Sequence, residues 1–183
     1  MSLHDAALTA LAAWRAPSER QERLRQRYVT HLEAEPGGVW RDCVPDHLTA
    51  GALVLDATGE HVLLNLHKKA RRWFHFGGHC EPADATLLDV AAREAREESG
   101  VPGLQLDPEP AQLDEHVVPF CSPGVEVHHL DVRFVAYAPD TAQPAVSDES
   151  LDVRWWPVSH PPDLEAEMYE LIAIGRSRLG TGS

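Results

Sequence analysis

The chain has 183 residues, 43% of them apolar, enough for one packed domain with a small extension. Its 29 acids against 16 lysines and arginines leave a net charge of −13, which removes the basic footprint of a nucleic-acid-binding protein. No run of about eighteen apolar residues exists, Met1–Asp5 lacks a basic start followed by an apolar stretch, and Cys43, Cys80 and Cys121 form neither a disulfide framework nor a CxxC zinc pair, so a membrane span is excluded and a cytoplasmic protein is expected.

Residues 3–34 read as helical, interrupted at Pro17. Ser18 and Gln21 have capping-box spacing for a second helix, along which Leu24, Tyr28 and Leu32 share one face. Glu35-Pro-Gly-Gly breaks the chain and opens a connector to about His47. Leu48–Asp56 and His61–His67 form a hairpin across Thr58-Gly59-Glu60, and Trp73–Phe76 is a short strand leading into Gly77-Gly78. A helix follows from Thr86 to Ser99, with Gly100 as its C-cap. Glu115–Phe120, His129–Tyr137 and Val153–Val158 read as strands. In the middle one Leu130, Val132, Phe134 and Ala136 face one way and Asp131 and Arg133 the other. Pro161-Pro162-Asp163 starts a last helix. Strands first, a helix in the middle and one at the end predict an α/β fold with a mixed sheet between helices. The division is 1–46 for the helical extension and connector and 47–183 for the main domain. Whether the extension covers that domain or forms a homodimer interface is left open.

The helix at 86–99 carries the chemistry. At 100° per residue Glu94, Glu97 and Glu98 fall within one narrow arc. Leu88, Ala91, Ala92 and Ala95 form a second, small enough to lie close to a sheet, while Asp89, Arg93 and Arg96 point a third way. Like charges at i, i+4 cost about a few tenths of a kcal/mol when exposed, and more when desolvated. These acids also sit toward the helix C-terminus, where the macrodipole disfavours them. A hard divalent cation resolves the repulsion, since Mg²⁺ binds carboxylate oxygens and keeps water and phosphate as its other ligands.

The segment from Gly78 through Asp84 to Arg93-Glu94-Ala95-Arg96-Glu97-Glu98-Ser99-Gly100-Val101 resembles the Nudix box, G-x5-E-x7-R-E-U-x-E-E-x-G-U, with U a bulky aliphatic residue. Asp84 stands where the box has its first Glu, eight residues rather than seven separate it from Arg93, and Ala95 fills the first U position. The resemblance implies a Nudix-type α/β/α sandwich. It implies hydrolysis of a diphosphate bond in a nucleoside diphosphate linked to another group, with Mg²⁺ or Mn²⁺ as cofactor. Gly78, Glu94, Glu97 and Glu98 would hold the metal, and Asp84 and Arg93 would brace the loop against the helix. Glu97 and Glu98 are the catalytic candidates, together with Glu149 in the acidic loop Ser147–Ser150 as general base. His79 and Arg72 are candidate substrate contacts, Arg72 belonging to a basic loop with Lys68, Lys69 and Arg71. His67, His75, His79, His128 and His129 show no compact metal-site spacing, so solvated or structural roles are expected for them. Two other readings fit the same fold. One is an enzyme resembling isopentenyl-diphosphate isomerase, which would use a cysteine such as Cys80. The other is a non-catalytic nucleotide-binding module, which would have no need of all three glutamates.

Overall fold

A computed structural model describes residues 1–119, 121, 124–140, 142–147 and 150–180. Two helices lead, α1 (Leu3–Ala13) and α2 (Glu19–Ala34), separated at Pro17 as expected. The strands β1 (Asp46–Leu55), β2 (His61–His67), β3 (Trp73–Phe74) and β4 (Phe76–His79) follow, then α3 (Leu87–Ser99). The chain continues through β5 (Gln105–Leu106), β6 (Gln112–Val117), β7 (His128–Tyr137) and β8 (Ser150–Pro157) to α4 (Ala166–Leu179).

Among the described residues the eight strands form one mixed sheet. β1 is its centre. It runs parallel to β7 over its whole length, with Leu48 beside Leu130 and Leu55 beside Tyr137, and antiparallel to both β2 and β4. Nearly every β1 residue is buried because both sheet faces are covered. Ala50, Ala52 and Val54 join the core shared with α1, α2 and α3. Leu53 and Leu55 join Met168, Leu171 and Ile172 of α4 on the other side. The chain is thus an α/β/α sandwich, the fold class expected from its sequence.

One expectation needs correction. Trp73–Phe76 is not one strand: it breaks at His75, and Gly77-Gly78 lies inside β4, where Gly51 pairs with Gly77 and Ala50 with Gly78. The polar face of β7 does not meet solvent. Asp131 and Arg133 are 4% and 5% exposed. Arg133 donates to Asp131 at 2.9 Å, Asp114 at 2.8 Å and Gln112 at 3.1 Å. Paired in this way, a buried guanidinium is tolerable, and its donors are committed to the protein.

The N-terminal helices pack on the sheet's own core through Leu3, Ala7, Leu11, Tyr28 and Leu32. Ser18 caps α2 by accepting from the Gln21 amide at 3.3 Å. The Gln21 side chain does not return the bond as a capping box would. It reaches β6, donating to the Leu113 carbonyl at 2.9 Å and accepting from the Leu113 amide at 2.7 Å. Tyr28, fully buried, donates to the Asp114 carbonyl at 2.6 Å. Replacing Gln21 with Ala strands a buried donor and acceptor, so a loss of about 2 kcal/mol or more is expected in urea unfolding. Gln21→Glu should fare no better, since a carboxylate cannot donate to the Leu113 carbonyl. Wild-type stability in Gln21→Ala would show that the helices are held by their apolar face alone.

Candidate active site

Helix α3 starts where Thr86 accepts from the Asp89 amide at 3.1 Å, and it ends at Gly100, whose φ of 67° favours glycine. Leu87, Val90, Ala91 and Ala95 are buried against the sheet, which fixes the helix rotation and brings Glu94 and Glu98 to β4. Glu98 is 7% exposed. It accepts from the Gly77 amide at 3.0 Å and from Asn65 Nδ2 at 3.5 Å. The Glu94 carboxylate lies so close to Gly78 that a Cβ there would sit 2.6–2.8 Å from it. A side chain at residue 78 would have to push the Glu94 carboxylate aside, so glycine there lets the backbone and the acid lie close together. Glu97 is the exposed member, its side chain 56% accessible.

Asp84 and Arg93 meet. Arg93 Nε and Nη2 donate to Asp84 Oδ1 and Oδ2 at 3.2 and 3.0 Å, and Nη2 also donates to the His79 carbonyl at 2.8 Å. Asp84 in turn accepts from the Glu81 amide at 2.8 Å, which closes the loop on itself. Asp89 is occupied by Thr86 and does not compete. The expectation that Arg93 points away from the acids is corrected: its Nη1 lies 2.8 Å from Glu94 and 3.5 Å from Glu97. The guanidinium is long enough to cross from its own arc to theirs and to offset part of their repulsion.

Glu98, Gly77 and Gly78 line a cavity of about 490 Å³ between the strands. Arg72, Phe74, His75 and Asp131 also line it. Arg72 is half-exposed and paired with Glu165 at 2.6 Å. Asn65 and His75, both in the cavity wall, carry buried polar atoms (Oδ1 and Nδ1) with no hydrogen-bond partner among the described residues. Such atoms are ordinarily satisfied by water or a ligand. Arg133 also reaches the wall, but its three protein partners mark it as a strut. Glu149 and Asp148 lie outside the described residues; the next residue, Ser150, pairs with His67, which lines the cavity.

His79 does not line this cavity. It belongs to a second cluster with His47, His129 and Cys121, whose ligand atoms all lie within 4.8 Å of one another. The spacing gave no sign of it because the four come from β1, β4, β7 and the segment before β7. Burial and neighbouring imidazoles lower the histidine pKa values, His79 to about 4 and His129 to about 3. Cys80 is a different case: it is buried, burial and then Asp84 push its thiol up to about 12, and it does not line the cavity where an isomerase would need its cysteine.

The glutamates supply hard oxygen donors, and the glycine at 78 leaves room beside Glu94, so the residues suit a cation such as Mg²⁺. The oxygens of Glu94, Glu97 and Glu98 are not drawn together as the His/Cys cluster is. Arg93 holds two of them and the Gly77 amide the third.

The NUDIX domain model matches residues 45–173. No curated protein sequence matches the chain. Among solved structures, a Nudix-family hydrolase from Clostridium perfringens aligns with TM-score 0.52 at 19% identity, over 75% of this chain and 98% of its own. A C. elegans Ap4A hydrolase aligns with TM-score 0.55 at 16% identity, over 73% and 98%. The MutT protein from Methanosarcina mazei Go1 aligns with TM-score 0.53 at 20% identity, over 73% and 92%. The acids of α3, the glycines of β4 and the sheet that joins them lie within the matched span, and the chain belongs to the Nudix hydrolase family.

Proposed function

We propose that the chain hydrolyses a diphosphate bond in a nucleoside diphosphate linked to a further group, with Mg²⁺ or Mn²⁺ as cofactor. The observation that carries this reading is Glu98, a carboxylate kept at the cavity wall beside Gly77 and Gly78 instead of being released to solvent. Glu94, Glu97, Glu98 and the Gly78 carbonyl would hold the metal. When bound, the metal neutralises phosphate charge and lowers the pKa of an attacking water. The protein's share is positioning. Asp84 and Arg93 fix the loop on α3, the Gly77 amide orients Glu98, and Arg72 contacts a phosphate at the cavity. Glu149 is the proposed general base. An Ap4A hydrolase shares the fold, which fits a nucleotide substrate.

A panel of nucleoside triphosphates, nucleotide sugars and dinucleoside polyphosphates with Mg²⁺ tests the reading. Release of a nucleoside monophosphate or of phosphate is expected. A rearranged diphosphate, or binding without turnover across the panel, would overturn it. On any accepted substrate, Arg72→Ala should raise KM several-fold, about one lost charge-assisted hydrogen bond, and leave kcat near wild type. An unchanged KM would return Arg72 to its pair with Glu165. Glu149→Gln should lower kcat by roughly a hundredfold, within the range for a general base. Asp148→Asn should matter less, and equal small effects would leave the base among the α3 glutamates.

A further inference from the structure

We propose that His47, His79, Cys121 and His129 form a second, closed metal site that takes one Zn²⁺-class transition-metal ion, separate from the carboxylate site. The Nε2 atoms of His79 and His129 each lie 3.5 Å from Cys121 Sγ, and that of His47 lies at 3.8 Å. In a tetrahedral site with Zn–N of about 2.0–2.1 Å and Zn–S of about 2.3 Å, nitrogen and sulfur ligands stand about 3.5 Å apart. The three rings cluster as well, with centroids 4.9–5.1 Å apart.

Hydrogen bonding would hold the arrangement only weakly. The thiol has one S–H to donate, and its sulfur is a weak acceptor for the N–H of the other two imidazoles, at 3.5–3.8 Å. His47 Nδ1 is already committed to the Cys43 carbonyl at 2.9 Å, so in the neutral ring Nε2 presents a lone pair toward Cys121. A backbone carbonyl on the far nitrogen is the usual way a metal-ligating histidine is oriented. One cation satisfies all four donors at once. Three imidazoles and a thiolate are borderline-soft ligands, which select Zn²⁺ or its neighbours over Mg²⁺. Four protein ligands leave no open position, which marks a structural site.

Its place in the fold gives it a task. His79 follows Gly78 in β4, His129 and His47 face each other across the parallel β1–β7 pair, and Cys121 follows the cavity residues Val117, Val118 and Pro119. The ion would pin that segment to the sheet and hold one wall of the substrate cavity, next to the carboxylate site but without sharing its ligands.

The test uses the full-length chain, stripped by chelator and titrated with Co²⁺ in excess Mg²⁺, which occupies hard oxygen sites. One equivalent of Co²⁺ is expected to bind, with the strong visible bands of tetrahedral cobalt and a thiolate-to-cobalt charge-transfer band. One equivalent of Zn²⁺ should then displace it. Cys121→Ser should abolish the charge-transfer band, and His129→Ala should weaken binding by at least about tenfold, the scale set by loss of even an outer partner of a metal ligand. Glu97→Gln should leave the spectrum unchanged. Weak octahedral absorption without charge transfer in the wild type, less than stoichiometric binding, or a charge-transfer band that survives in Cys121→Ser would each overturn the proposal. Should a variant fail to fold, the wild-type titration decides by itself.

Discussion

Glu98→Gln is expected to lower kcat by about a hundredfold or more, since losing a metal contact costs several kcal/mol at the transition state, while the melting temperature holds or rises. The stability half follows from the surroundings. Glutamine keeps an acceptor for the Gly77 amide and a similar volume in the wall. It also removes one of three neighbouring negative charges near the C-terminal end of α3, where the helix dipole opposes them. A purely structural Glu98 would give the opposite pattern, with stability falling and the surviving folded enzyme fully active. Glu97→Gln should cost more than about tenfold in kcat for the same reason, and its exposed side chain predicts no loss of stability. Near wild-type turnover of both variants at saturating Mg²⁺ would sink the metal role of these acids.

Arg93→Ala is expected to destabilise the fold by about 3–5 kcal/mol, the cost of removing one member of a buried ion pair. The Arg93 and Asp84 side chains are 13% and 5% exposed and joined by two bonds, so the substitution leaves Asp84 with only the Glu81 amide. It also leaves the His79 carbonyl without this donor and removes the positive charge beside Glu94 and Glu97. In a domain of this size the loss corresponds to a melting temperature lower by roughly 6–20 °C. Arg93→Lys should fall between the two, because an ammonium cannot make the paired contact to Asp84. An unchanged melting temperature with a raised KM would make Arg93 a ligand of substrate instead.

What the sequence disclosed and what it hid divide by range. The Glu94, Glu97 and Glu98 arc, the Gly100 cap, the β1–β2 hairpin and the helix break at Pro17 depend on residues a few positions apart, and all were legible. β5 was missed because two residues carry no period. The glycines at 77 and 78 look like a turn in composition; pairing with β1 makes them strand. Alternation placed Asp131 and Arg133 on the polar face of β7 but does not report what covers a face; Asp114 and Gln112 on β6 supply the cover. The His/Cys cluster spans residues 47 to 129, and only the β1–β7 and β1–β4 pairings bring it together. The Arg93 side chain eluded the helical wheel for a simpler reason. A wheel places Cβ atoms, and a guanidinium ends several ångströms from its own.

The Gln21 amide has a consequence for how the molecule keeps to itself. β6 hydrogen-bonds to β7 on one side, and an outer strand offers its other side as a template for a strand of another chain. At Leu113 both outward groups are consumed, amide and carbonyl alike, by a side chain that imitates the two bonds a neighbouring strand would make. Tyr28 fastens the same helix beside it, over the β6–β7 seam, by donating to the Asp114 carbonyl. The leading helices therefore act as a stopper on the sheet: they end its growth with side-chain groups that cannot be extended, and they shut this edge to the strand-by-strand addition through which exposed sheets aggregate.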